Sequence, residues 1–356
     1  MKAWRLDGLG GTLAFEDVPL PSVRPGSVLV RIEASPLLTY LKPYVEGKLP
    51  FYSPPLGAFT PGTNGVGVIE AVGQDVWHLR PGQRVVCSPH FVAGEHVAEP
   101  AQILIGLTAF GPGSEAVQSD WRDGTLAEFA LAPVATITPA EGLDSHDASQ
   151  LAVLNRFIVP FGGLLRGRLA AGETLIVNGA TGAFGTAAVL LGVALGAGPV
   201  VAAGRNTATL NEVARAGGPR VTPVHLSGDV AADTASLRAA AGGGAHLAFD
   251  MVGQAGDANA TLASLTSLHR NGRLVLMGSM TTPLPLSYSD VMRNNWEIIG
   301  QFMYPADAYC RLIGMVRAGL LEIGAIRPRS FPLAALREAM EAAGGAGNLE
   351  CVIVQP

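Results

Sequence analysis

Thr174-Leu-Ile-Val-Asn-Gly179-Ala-Thr-Gly182-Ala-Phe-Gly185 lies near the middle of the 356-residue chain. Thr174 to Val177 are β-branched or large apolar residues, the composition of a short strand buried in a parallel sheet. From Gly185 the chain continues Thr-Ala-Ala-Val-Leu-Leu-Gly-Val-Ala-Leu, a small-residue helix able to pack closely on that sheet. Three glycines at three-residue spacing join strand to helix. Such a turn brings free N–H groups and the positive end of a helix against a pyrophosphate. The spacing is Gly-x-x-Gly-x-x-Gly, not the commoner Gly-x-Gly-x-x-Gly, and a chain with 45 glycines can hold a tight turn that binds nothing. The order of elements around the turn decides between the two readings.

Toward the C-terminus, a second strand is Pro199-Val-Val-Ala-Ala-Gly-Arg-Asn206 and a third is Arg220-Val-Thr-Pro-Val. His246-Leu-Ala-Phe-Asp250, Gly272-Arg-Leu-Val-Leu-Met-Gly278 and Glu297-Ile-Ile-Gly-Gln-Phe-Met303 follow, with helical stretches between them. Strands alternating with helices at this spacing make an α/β domain with a doubly wound parallel sheet over residues 150–304. The glycine turn follows its first strand, where a dinucleotide fold places it. A helix capped by Ser145 or Asp147 leads in.

Before that, residues 1–149 read as β-structure. Ser27-Val-Leu-Val-Arg-Ile-Glu-Ala34 is a strand, and glycine turns punctuate Pro61 to Gly73 and Val76 to Val86. Short strands with glycine corners suit a small, strongly curved barrel. Tyr40, Tyr44, Phe51 and Tyr52 gather about a proline-rich loop, Pro50 to Pro61, either as loop packing or as a pocket wall. His90 to Trp121 shows no period and reads as an irregular excursion with one short helical piece. In residues 305–356, a helix (Ala306 to Arg317), a β-like piece near Pro328, a helix from Leu333 and a closing strand from Glu350 suggest a return to the first domain.

With 48% apolar and 15% charged residues the chain can fill two cores. A net charge of −5 with no basic run argues against a nucleic-acid partner. Cys87, Cys310 and Cys351 lie far apart, with neither a disulfide framework nor a Cys-x-x-Cys metal signature. The first residues lack a signal-peptide core, and the apolar run Thr186 to Ala203 is broken by Gly192, Gly196, Gly198 and Pro199. No membrane partner and a cytoplasmic location are expected.

An acidic residue after the second strand would accept hydrogen bonds from adenosine ribose and select NAD. Here Ala203-Gly204-Arg205-Asn206 offers none. Arg205 is either a solvated surface arginine or the planar partner of a 2′-phosphate, and the latter selects NADP(H).

These parts together resemble the medium-chain dehydrogenase/reductase superfamily, in its zinc-free quinone oxidoreductase-like branch. The resemblance spans nearly the whole chain. It rests on Pro61-Gly-Thr-Asn-Gly-Val-Gly-Val-Ile-Glu-Ala-Val-Gly73, Arg80-Pro-Gly-Gln-Arg-Val, Gly124-Thr-Leu-Ala-Glu-Phe, Asn178-Gly-Ala-Thr-Gly-Ala-Phe-Gly185, Phe249-Asp-Met-Val-Gly253, Arg273-Leu-Val-Leu-Met-Gly278 and Ile299-Gly300. It implies a GroES-like β-barrel domain plus a Rossmann domain, with the active site in the cleft between them, and a homodimer or homotetramer. Gly179, Gly182 and Gly185, with Thr181, Ala183 and Phe184 on the same turn, would hold the pyrophosphate. Arg205 and Asn206 would take the adenosine end. Val252, Gly253, Met277, Gly278 and Ser279 would lie along the nicotinamide, with Asn155 near it on the helix entering the Rossmann domain.

Zinc-dependent relatives ligate their catalytic metal through a cysteine and a histidine at positions that align with Leu38 and Thr63. Leucine cannot ligate zinc and threonine is a poor ligand, so no metal is expected. Asn64 stands where the family usually has a glutamate. His90 and His96 are the remaining conceivable ligands, on a loop that replaces the family's structural-zinc lobe. Without a Lewis acid, hydride transfer must rely on positioning and on hydrogen bonds to the oxygen where charge develops. A quinone or α,β-unsaturated carbonyl suits this chemistry, with Tyr40, Tyr44, Tyr52, Thr63 and Asn64 as candidate donors. A metal-free alcohol dehydrogenase or ketone reductase, and an NADPH-binding protein with little turnover, are the alternatives.

Overall fold

The computed structural model describes residues 1–94 and 96–356. Residues 1–155 with 326–356 form one compact unit, and residues 156–325 form another.

The first unit is built on β3 (Ser27–Pro36). Val28, Val30 and Ile32 alternate along it and point into one core with Ile69, Val85, Cys87 and Ile137. That period of two is what an extended backbone imposes. β1 (Lys2–Asp7) pairs antiparallel with β2 (Leu13–Asp17) and with β4 (Ala58–Phe59). A larger sheet runs through β11 (Ile137–Pro139), β6 (Arg84–Cys87), β5 (Gly65–Val72), β3, β19 (Glu350–Gln355) and β18 (Arg327–Pro332). β10 (Phe129–Pro133) also pairs with β3. The β3–β5 register shifts twice, at Leu29/Val30 and Ile32/Ala34. Such irregularities bend a strand and close a small barrel. The C-terminal strand does return to this unit: Ile353 and Val354 pair with Pro36 and Ser35.

Two local expectations change. Tyr44 sits on a one-turn helix, α1 (Leu41–Val45), and not on a loop. The stretch from His90 is regular: β7 (His90–Ala93), β8 (Ala101–Leu104) and β9 (Thr108–Phe110) form an antiparallel sheet, followed by α2 (Ser114–Asp120). Strands of three or four residues are too short to show a period in sequence. α3 (Ala148–Ala152) begins at Asp147, which accepts from the Gln150 N–H while the Gln150 side chain accepts from the Asp147 N–H. This reciprocal cap satisfies two donors that the helix start leaves open.

The second unit begins at Arg156, within α4 (Leu154–Arg166), and continues as β12 (Leu175–Asn178), α5 (Ala183–Ala194), β13 (Val200–Gly204), α6 (Thr207–Gly217), β14 (Val221–His225), α7 (Val230–Ala240), β15 (Ala245–Asp250), α8 (Asn259–Thr266), β16 (Leu268–Leu276), α9 (Tyr288–Asn294), β17 (Glu297–Gly300) and α10 (Ala308–Arg317). The sheet order is β14-β13-β12-β15-β16-β17, and every pair is parallel. Leu175 to Val177, Val200 to Ala203 and Leu247 to Phe249 are fully buried, because helices cover both faces of such a sheet. The order reverses between β12 and β15, and a ligand crevice opens at the carboxyl ends of strands at such a switch point.

α10 belongs to this unit, so the chain leaves it at 325/326 and not at 304/305. The reason is packing. α10 buries Tyr309, Leu312, Ile313 and Val316, and Arg311 lies 5.6 Å over the Phe161 ring of α4. The other boundary falls at 155/156 and not at 149/150, because α3 packs on β3 and β5. Ala148–Arg166 is long and apolar enough to cross a membrane by length and composition, and 83% of its 18-residue window is buried inside the protein.

Candidate active site

At the carboxyl end of β12 the backbone turns left-handed at Gly179, where φ is +78°. A Cβ at Gly185 would lie 2.0 Å from the Gly179 carbonyl oxygen. The first and third glycines of the motif are therefore required by the fold itself. Gly182 differs: a Cβ there would meet nothing closer than the Gly179 oxygen at 3.4 Å. It is exposed, extended at φ −83°, and caps α5 without a side chain. The N–H groups of Ala183, Phe184 and Gly185 form the first turn of that helix, with no acidic side chain among them. A helix start of this kind leaves its N–H groups open to an anion.

The turn borders a cavity of about 470 Å³. Gly179, Thr181, Gly182, Arg205, Val252 and Gly253, all named from sequence, line it. Ala183, Phe184 and Gly185 stand beside it as the start of α5. Asn206 caps α6, its side-chain oxygen accepting from the Thr209 N–H at 3.1 Å. Arg205 is exposed and has no carboxylate partner among the described residues. Gly278 and Ser279 follow β16, and a Cβ at Gly278 would lie 2.0 Å from the Val252 oxygen. The nicotinamide-side loops named from sequence are thus packed backbone on backbone.

Sequence reasoning passed over Asn178, Gly204, Ser227, Gly228 and Thr261, which also line the cavity. Their signal was positional, since loops and residues at the carboxyl ends of parallel strands share one rim. Asp233 pins the Ser227–Gly228 peptides, accepting from the Ser227 N–H at 2.7 Å and the Gly228 N–H at 2.9 Å. Asp250 was also missed as a site residue. It is buried at the end of β15, and burial raises its pKa above the ordinary carboxylate range.

The candidate donors lie in the first unit. The Tyr44 hydroxyl, fully buried, donates to the Leu107 carbonyl at 2.5 Å, and burial holds its pKa far above that of a free phenol. Tyr52 stands edge-on to Tyr44 with ring centroids 5.3 Å apart and stacks on Tyr40 at 6.0 Å. Burial raises the Tyr52 phenol, and its hydrogen bond with Tyr40 lowers it part of the way back. Phe51, 4.8 Å from Tyr52, is exposed. Thr63 and Asn64 are both buried, and the Thr125 hydroxyl donates to the Asn64 main-chain carbonyl at 2.8 Å. Asn155 is buried at the chain's exit from this unit. Among the described residues, the Thr63 hydroxyl and the Asn155 amide nitrogen have no hydrogen-bond partner.

Residues 24–142 match the alcohol dehydrogenase GroES-like domain family, and residues 183–317 match the zinc-binding dehydrogenase family. An alcohol dehydrogenase of Moraxella sp. is 30% identical over 308 residues, covering 85% of each chain. The chain is a member of the medium-chain dehydrogenase/reductase superfamily. This dehydrogenase/reductase is an oxidoreductase of the alcohol dehydrogenase type, with a GroES-like domain and a Rossmann domain. A chloroplastic quinone oxidoreductase of Triphysaria versicolor is also 30% identical, over 149 residues, 41% of this chain and 43% of that protein. The fold is shared with an Escherichia coli alcohol dehydrogenase solved with NADH, at a TM-score of 0.79, 18% identity and coverage of 100% and 99%.

Zinc is implied by the family's description, and the donors of this family member do not fit it. Leu38 and Thr63, which the resemblance sets at the ligand positions, are both buried, and neither side chain is a zinc ligand of this family. The His90 Nε2 lies 3.2 Å from the Gln102 Oε1, and His96 is exposed. Burial pushes the Cys87 thiol up to about 12, so it is not a ready thiolate. Among the described residues, no group of three or more His, Cys, Asp or Glu side chains could hold a metal ion.

Proposed function

We propose that this oxidoreductase is NADPH-dependent and metal-free, and that it reduces a quinone or an α,β-unsaturated carbonyl. The observation that carries this reading is the donor set: among the described residues no group of three or more His, Cys, Asp or Glu side chains could hold a metal ion, and the resemblance sets Leu38 and Thr63 at the ligand positions. A simple alcohol or ketone depends most on a Lewis acid at its oxygen. In a conjugated acceptor the charge spreads into an enolate or quinol system, so hydrogen bonds suffice.

Reduced nicotinamide, when bound, supplies the hydride. The chain's own part is to hold and orient. The Gly179–Gly185 turn and the first N–H groups of α5 take the pyrophosphate. Arg205 pairs with the 2′-phosphate, and the missing carboxylate at the end of β13 supports NADPH over NADH. Val252, Gly253, Gly278 and Ser279 frame the nicotinamide side, with Asn155 as a further polar contact. Tyr52 is the tyrosine best suited to donate to the acceptor oxygen, since the Tyr44 proton is already given to Leu107. Tyr40 supports it, and Thr63 and Asn64 are the other candidate polar groups. The final proton comes from water. We further propose a homodimer or homotetramer in the cytoplasm.

The Moraxella relative's name favours a second reading, a metal-independent alcohol dehydrogenase or ketone reductase. A third reading is an NADPH-binding protein with little turnover. NADPH and NADH oxidation against a panel of quinones, enones and ketones, with metal content measured on the same sample, separates all three. Enone or quinone turnover that survives chelation is expected. Stoichiometric zinc, or turnover of simple ketones alone, would overturn the first reading.

A further inference from the structure

One buried residue, Asp250, ties together several of the segments that border the cavity. Asp250 Oδ2 accepts from the Asn178 Nδ2 at 2.8 Å and from the Thr261 hydroxyl at 2.6 Å. Its Oδ1 accepts from the Val252 N–H at 2.9 Å. Its main-chain oxygen accepts from both the Met277 and Gly278 N–H groups, at 3.1 and 3.0 Å. The partners come from four places: the end of β12, the loop after β15, the loop after β16, and α8. Asn178, Val252 and Thr261 line the cavity, whereas Asp250 does not.

We infer that the Asp250 carboxylate is a positioning group of the nucleotide site, fixing the 251–253 loop against the end of β12 and the start of α8 so that the nicotinamide half of a dinucleotide finds a preformed wall. The inference rests on the dinucleotide reading above. Its physical basis is the contrast between two kinds of contact. The loops touch backbone to backbone, with Gly278 against Val252 and Gly179 against Met251. Such contacts are close but carry no direction by themselves. The hydrogen bonds to Asp250 supply direction, because a carboxylate accepts along defined lone-pair lines and three donors converge on it.

Desolvating a carboxyl is costly, and its three donors offset part of that cost. Removing the group leaves the Asn178 amide and the Val252 N–H without their acceptor. Both lie on the cavity wall, so the loss is felt first where the ligand sits. The adenosine end depends on other anchors: Asn206 on α6, and the Asp233-pinned peptides at 227–228.

The test separates the two ends of the ligand. Dissociation constants for NADPH and for adenosine 2′,5′-bisphosphate are measured on the full chain, wild-type and Asp250→Ala, with thermal melting of each. The expected result is a rise of at least tenfold in the NADPH constant, with the bisphosphate constant unchanged within twofold. Equal weakening of both ligands, or of neither, overturns the inference. Thr261→Val removes one donor while keeping shape, and it decides the matter if Asp250→Ala fails to fold. A rise of about threefold for NADPH alone supports the assignment, and no change rejects it. A wild-type protein that binds neither ligand instead rejects the dinucleotide reading.

Discussion

The Tyr44 hydroxyl reaches the Leu107 carbonyl at 2.5 Å inside the first unit, where both residues are buried. Three tyrosines close together in sequence look equivalent, and this one contact separates them. A phenol that donates to a buried main-chain oxygen has no second proton to give. Tyr44→Phe should therefore cost about 1–3 kcal/mol of stability, the expected loss for a buried acceptor left unpaired. Turnover should stay within about twofold. Tyr52→Phe should do the reverse, with kcat lowered roughly 10²-fold, as for loss of a positioned proton donor, and little change in melting. Melting curves and steady-state kinetics on both variants check this. Loss of turnover in Tyr44→Phe alone would remove Tyr52 from the proposed role.

The glycine turn offers a second contrast. Gly185→Ala forces a Cβ to within 2.0 Å of the Gly179 oxygen, so the apo protein should melt well below wild type or fail to fold. Gly182→Ala places its Cβ no nearer than 3.4 Å from any protein atom. Its melting temperature should be preserved, while the NADPH dissociation constant rises at least tenfold, about 1.4 kcal/mol. Calorimetric melting with and without NADPH measures both effects. Unaltered NADPH binding by Gly182→Ala would show that the turn does not face the ligand.

Arg205 lacks a carboxylate partner among the described residues and stands at the rim of the cavity. Arg205→Ala should raise the NADPH constant roughly 10- to 100-fold, the loss of about 1.5–3 kcal/mol typical of a hydrogen bond to a charged group. The NADH constant should hardly move. Fluorescence titration with each cofactor tests the difference, and equal losses for both would point to a general role in folding or steering.

Asp250 predicts a pH dependence with a definite sign. Burial raises its folded-state pKa above that of an ordinary aspartate. The folded protein therefore binds this proton more tightly than the unfolded chain does. Its contribution to stability is most favourable in acid and declines as pH rises from the unfolded pKa through the folded one, with no further change above that. Other carboxylates titrate in the same window, so the measured quantity is the difference between wild type and Asp250→Asn in urea denaturation across acidic pH. A difference that grows in the opposite direction would mean that the carboxylate is stabilised by its donors more than burial disfavours it.

Much of the second unit was legible in the sequence because each of its layers repeats a signal. Runs such as Leu175 to Val177 and Val200 to Ala203 are apolar on both faces, which only a covered parallel sheet explains. The glycine spacing and Arg205 are local features, and so they also survived in one dimension. The His90 to Trp121 stretch did not, since its three strands are too short to carry a period. The place of α10 was hidden too, because an amphipathic helix announces that it packs but not on what.

What the sequence determined by itself was the chemistry available: a glycine turn between strand and helix, an arginine and no acid after the second strand, and leucine and threonine where the resemblance sets the metal ligands. The tertiary structure alone decided which of these groups is already committed. Gly185 is spent on the Gly179 oxygen while Gly182 is open. Tyr44 is spent on Leu107. Asp250, a plain carboxylate in the sequence, gathers donors from β12, α8 and its own loop. Residue type fixes what a group can donate or accept, but whether that capacity remains free depends on neighbours brought together from distant parts of the chain.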